Sequence, residues 1–151
     1  LALTNRDWVY LYDGNNYREA AAGAQKYLSL YGWRANFSTY QSFVGILAYR
    51  AAGMEPEAQA LILQAQKRVS PDGWPFNIVR FFAGEVTGDE LLKLAGNNDQ
   101  RTEAHTYAGM DLRINGHGAE AKVHFKWVKE FGNSHFSEYP LAVAELERLS
   151  N

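Results

Sequence analysis

The stretch that decides the fold runs from residue 102 to residue 133, TEAHTYAGMDLRINGHGAEAKVHFKWVKEFGN. Gln100 to Ile114 and Ala119 to Phe131 read as two helices, and Asn115-Gly116-His117-Gly118 reads as the hinge between them. Gly116 can be set in register with Gly53, 63 residues upstream. Five residues after each glycine stands Ala58 or Ala121, nine after stands Ile62 or Phe125, and twelve after stands Ala65 or Val128. Four before stands Tyr49 or Leu112. Small residues let two helices approach closely, and large apolar ones fill the space between pairs. The pattern predicts a helix-turn-helix unit that is used more than once.

The same periodicity extends outward. Ala20, Ala21, Ala24, Tyr27, Leu28 and Tyr31 form one apolar stripe over Tyr17 to Tyr31. Tyr40, Phe43, Val44, Leu47 and Ala51 form another over Phe37 to Ala52, and Ala58, Leu61, Ile62, Ala65 and Val69 a third over Glu57 to Val69. Gly53 ends one helix and Pro56 suits the first turn of the next. After the turn at Ser70 to Pro75, a short helix is expected over Phe76 to Ala83, although Phe76 to Val79 also reads as a strand without a partner. Thr87 and Glu90 have capping-box spacing, which predicts a helix from Gly88 to Ala95. A last helix is expected over Glu138 to Leu149. The expected architecture is all-α: one domain over residues 1–151, an α-α superhelix of antiparallel helix pairs. The repeat-like pairs fall at about 3–32, 39–71 and 102–133, with a short helical insert at 74–96 and a C-terminal capping helix at 138–149.

Composition narrows the function. The chain has 151 residues, 46% hydrophobic and 21% charged, which suits a globular domain with its own core. A net charge of −2 argues against a dedicated nucleic-acid binder. The absence of cysteine removes disulfide and thiolate chemistry. No run of ~18 apolar residues predicts a membrane span, and no signal-peptide pattern is visible. The compartment stays open between the cytoplasm and the periplasm or cell envelope.

Residues 102–133 place a small residue at Gly109, a large one at Leu112, then Gly116, Ala121 and Phe125. In this the chain resembles the tetratricopeptide repeat family. Thr39 to Pro71 matches with Ile46 where the small residue belongs, and Leu3 to Gly32 matches in part. Gly73-Trp74-Pro75-Phe76, Glu103-Ala104-His105-Thr106-Tyr107-Ala108-Gly109 and Glu138-Tyr139-Pro140-Leu141 are similar to stretches in bacterial repeat proteins related to the NlpI lipoprotein. The resemblance implies a scaffold or adaptor, not an enzyme, that holds a partner peptide or helix in a concave groove. It implies that the first helix of each pair lines that groove. Mapped here, the partner-binding residues are Tyr40, Leu47 and Arg50 in one repeat and Glu103, Met110 and Arg113 in the other, with Phe43, Ala51, Thr106 and Ile114 beside them. Two guanidinium groups on one face suit bidentate capture of carboxylates. Read on their own, Arg50 and Arg113 are equally well solvated surface residues, and Phe43 equally well a core residue. Self-association through an apolar N-terminal end face around Trp8, Tyr10 and Tyr12, and an accessory role to an enzyme, are the alternatives.

No motif for chemistry emerges. Four histidines occur, three of them within residues 102–133. On the repeat mapping His105 faces the paired helix, His117 sits at the hinge and His124 lies well along the second helix, so they are not expected to converge on a metal. No cofactor is expected, and neither a phosphate loop nor a nucleophile elbow is present. Of the tryptophans, Trp8 and Trp33 are the better candidates for exposure, while Trp74 is expected to plug the bend at the insert.

Overall fold

A computed structural model describes residues 2–151, with side chains from residue 5 onward. Among the described residues there are nine α-helices and no strand. They are α1 (Ala2–Asp13), α2 (Tyr17–Tyr31), α3 (Ser38–Ala51), α4 (Glu55–Arg68), α5 (Pro75–Phe82), α6 (Gly88–Leu94), α7 (Asn98–Ile114), α8 (Gly118–Phe131) and α9 (Glu138–Ser150). The chain divides into two compact units, Leu1–Glu85 with α1 to α5 and Val86–Asn151 with α6 to α9. Eight of the nine helices lie where the periodicity puts them. The segment with the strand alternative, residues 76–79, is helical in α5.

Helix α1 is the one the apolar pattern misses. Its buried face carries Asp7 beside Trp8 and Leu11, so a carboxylate interrupts the apolar stripe. Gln41 Nε2 donates to Asp7 Oδ2 at 2.6 Å, which ties α1 to α3. Oδ1 has no hydrogen-bond partner among the described residues, and its nearest cation is Arg6 Nε at 3.9 Å. The carboxylate rests on Gly23 of α2, where an added Cβ would lie 1.9 Å from Oδ1. Burial pushes the Asp7 carboxyl up to about 6, against the smaller opposing effects of Arg6 and Gln41.

Each unit is built around one central helix. In the first, Gln41 through Ala48 of α3 are all buried. Small residues on α2 (Ala20, Ala21, Ala24) and on α4 (Ala58, Ala65) are fully or almost fully buried beside it. Phe82 of α5 meets Phe43 with ring centroids 5.5 Å apart. In the second unit Thr102 to Met110 of α7 are buried except for half-buried His105. A helix enclosed on every side needs apolar residues on every side, which is why α3 shows little amphipathic contrast.

The two units repeat a three-helix arrangement, α3-α4-α5 and α7-α8-α9, at the 63-residue offset. Gly53 and Gly116 have φ of 73° and 84°, a region that favours glycine. Both close the same helix-ending motif. Met54 N donates to Tyr49 O and His117 N to Leu112 O, each at 2.8 Å. Gly53 N donates to Arg50 O and Gly116 N to Arg113 O, each at 3.1 Å. The turn into the third helix matches too: Phe76 N donates to Gly73 O, and Tyr139 N to Phe136 O. The close approach within each hairpin differs by one residue. An added Cβ on Gly109 would meet Phe125 Cε1 at 2.6 Å, whereas in the first hairpin Gly45, not residue 46, takes this role against Leu61 Cδ2 at 2.7 Å. Ile46 is therefore no defect in the repeat.

Side-chain caps set the starts of α6 and α7 in the second unit. Glu90 N donates to Thr87 Oγ1 at 3.1 Å at the start of α6, as the capping-box spacing predicts. Gln100 N donates to Asn97 Oδ1 at 2.8 Å and starts α7. Tyr107 Oη of α7 donates to the buried Glu138 Oε1 of α9 at 2.8 Å, and burial raises the Glu138 carboxyl.

Gly109→Ala is expected to destabilise the protein by roughly 1–3 kcal/mol, because overpacking against the Phe125 ring outweighs the ~1 kcal/mol that alanine gains over glycine in a helix interior. Gly45→Ala should cost less, since it meets the flexible end of Leu61. Chemical denaturation of both variants checks the order. The raised Asp7 carboxyl gives a pH dependence. Its neutral form suits the fold, so its contribution is whole below about 3.8 and is lost as pH rises through about 6. Asp7→Asn should therefore gain stability over the wild type between pH 4 and pH 7.5, by up to about 3 kcal/mol, in urea denaturation across that range.

Candidate functional site

The residues mapped to a groove fall on the central helices, and the enclosure of those helices decides what they do. Leu47 and Met110 are 1% and 0% exposed, and Glu103 is buried as well. These three are interior residues instead of lining an open surface, because flanking helices cover α3 and α7 all round. Tyr40 is half-buried and packs edge-on against Phe43 at 5.3 Å. Phe43 and Thr106 are buried too.

Arg50 and Arg113 share a position in the repeat and share a task. Arg50 Nη2 donates to the carbonyl of Phe82 at the end of α5, at 3.2 Å, and pairs with Glu55 at 3.3 Å. Arg113 Nε pairs with Glu145 of α9 at 2.8 Å. Phe82 and Glu145 stand at the same 63-residue offset as the two arginines. Each arginine thus crosses from the end of the central helix to the third helix of its unit. Glu145 is 1% exposed and also receives Arg148. A buried carboxylate needs such cations, since desolvating it alone is costly.

A different set of side chains comes together on the α7-α8 hairpin. His105 Nδ1 and His124 Nδ1 lie 2.9 Å apart. The His105 ring stacks on Trp127 with centroids 4.3 Å apart and planes 20° apart. Trp127 in turn lies 5.8 Å from Phe131. His124, Trp127 and Phe131 follow one another along α8 at three- and four-residue steps. Phe131 is 59% exposed, and Val123, beside His124, is 68% exposed. Burial holds both imidazoles below their ordinary range, His105 at about 4, and the nearness of His124 and Arg101 adds to the effect on His105. Asp89 and Glu120 act on His124 in the opposite sense.

This convergence corrects the expectation that the histidines stay apart. His105 and His124 meet, because they stand at comparable depths on the two arms of one antiparallel hairpin. Counting residues outward from Gly116 along each arm was the signal that could have found them. His117 lies apart at the hinge, 3.9 Å from Glu120. Trp8 is buried at 6%, not exposed, with Tyr12 beside it at 6.5 Å, while Tyr10 and Trp33 are half-buried. The apolar end face expected there is therefore mostly covered, and among the described side chains of α1 Val9 is the large apolar one that is exposed.

Comparison with protein-family models, with curated proteins and with solved structures returned no match.

Arg113→Met leaves Glu145 with Arg148 alone and is expected to cost about 1–3 kcal/mol, short of the full effect of orphaning a buried charge. Arg50→Met breaks a pair whose acid is 54% exposed and should cost less than about 1 kcal/mol for that pair. Thermal denaturation of the two variants side by side checks the difference.

Proposed function

We propose that this chain is a helical-repeat scaffold of the tetratricopeptide type that binds another protein and carries out no chemistry of its own. The observation that carries the reading is the repeated three-helix arrangement, with the same glycine-closed turn and the same arginine tie at a 63-residue offset. Stacked helix pairs of this kind present extended surfaces, and that is how repeat proteins are used. In this reading the pairs continue as a superhelix, and the relation to NlpI-like bacterial proteins is part of the proposal. The contact surface moves from the enclosed central helices to their outer partners. The aromatic row of half-buried Trp127 and exposed Phe131 on α8, with exposed Val123 on the same helix, has the composition that interfaces favour.

The test is affinity capture from a bacterial lysate with the wild type and a Trp127→Ala/Phe131→Ala variant. Circular dichroism first establishes equal helicity. The expected result is a specific protein retained by the wild type and depleted by the variant, with a loss of about 2 kcal/mol or more in binding. Retention of the same proteins by both would place the contact elsewhere, and retention of nothing would argue against a scaffold.

A further inference from the structure

The second unit fastens its hairpin with a side-chain bond that has no counterpart at the same positions of the first. His105 Nδ1 of α7 and His124 Nδ1 of α8 face each other at 2.9 Å, so one ring donates and the other accepts. The first unit has Ser42 there, whose hydroxyl donates to the Thr39 carbonyl of its own helix, and Leu61, which has no polar group. We propose that the imidazole pair is an acid-operated latch between α7 and α8, closed while the pair carries at most one extra proton and open once both rings are charged.

The facing of the two Nδ1 atoms sets the rule. In the neutral pair the donor ring carries its proton on Nδ1 and the acceptor ring carries its own on Nε2. A first added proton goes to the free Nε2 of the donor ring and leaves the bond intact, now strengthened by charge. A second proton has one place left, the Nδ1 of the acceptor. Two N–H groups of two like-charged rings then point at each other across 2.9 Å, and the rings must part.

The surroundings order the two steps. Asp89 on α6 and Glu120 on α8 favour the charged form of His124, so His124 holds the first extra proton. Burial, then the nearness of His124, then Arg101 on α7 hold His105 at about 4 instead of the ordinary 6.5. On α9, which packs against both helices, the buried acids Glu138 and Glu145 are taken by Tyr107 and by Arg113 and Arg148. The His105 ring is held by its stack on Trp127, so His124 is the ring that swings away. It is half-buried, and a change of rotamer carries its charge to water. Both histidines are lowered, so the stability the latch gives is whole above about 6.5 and is lost as pH falls toward 4. Asp7 and Glu138 are raised and act in the opposite sense, so the latch is read as a difference between variants.

Nitrogen-15 NMR titration of the histidine rings in the full chain, beside urea denaturation from pH 7 to pH 4.5, tests this. Wild-type His105 should titrate well below His117, which is exposed at the hinge. His124→Asn sets a side-chain amide against His105, and its oxygen accepts from a charged His105 ring. In that variant the His105 midpoint should rise by about one pH unit, and the acid-induced rise in the unfolding constant should be roughly ten-fold smaller than in the wild type. His117→Asn should leave both as they are. A wild-type His105 that titrates together with His117, or a midpoint and acid sensitivity unchanged in His124→Asn, would overturn the proposal.

Discussion

The closeness of the two helices in each hairpin is the constraint on which the rest depends. At Gly109 the α7 backbone lies against the Phe125 ring, with no room for a Cβ. At Gly45 the α3 backbone lies as close to Leu61. Such contact fixes the spacing of the hairpin and lets small residues such as Ala58 and Ala121 be fully buried. The turn must then reverse the chain within a few residues, and the positive φ of Gly53 and Gly116 permits it. With the hairpin fixed, the third helix has one place to pack, and Arg50 or Arg113 fastens it there.

Enclosure of the central helix has a functional consequence. A residue on α3 or α7 that is covered on all sides gives its binding energy to folding and has none left for a partner. On the scaffold reading proposed above, recognition falls to the outer helices, where substitutions at exposed positions change what is displayed without disturbing the core. The two hairpins differ inside as well: the same position holds fully buried Leu61 in one unit and half-buried His124 in the other. The second unit thereby gains an imidazole pair and an aromatic row that the first lacks.

Much of the fold was legible because helical periodicity, glycine hinges and the Thr87 cap are local signals. Helix α1 was not, because Asp7 sits on its buried face and is matched by Gln41, 34 residues away. The candidate site was less legible. Register placed Arg50 and Arg113 at equivalent positions, and they do act alike, but which neighbour each would reach depended on α5 and α9. The groove assignment of Leu47, Glu103 and Met110 assumed an open side to helices that are closed. The histidine pair was within reach of the sequence, since both residues lie on one predicted hairpin and only their relative depth had to be counted.

Amide hydrogen exchange on the native chain tests the central claim, that each unit is organised around one enclosed helix. Exchange should be slowest at residues 43–48 of α3 and 104–110 of α7, approaching the protection of global unfolding, and faster in the peripheral helices α1 and α6. If α3 or α7 exchanged as fast as α1 and α6, the enclosed-helix account would be contradicted, and the central helices would again be open to a partner.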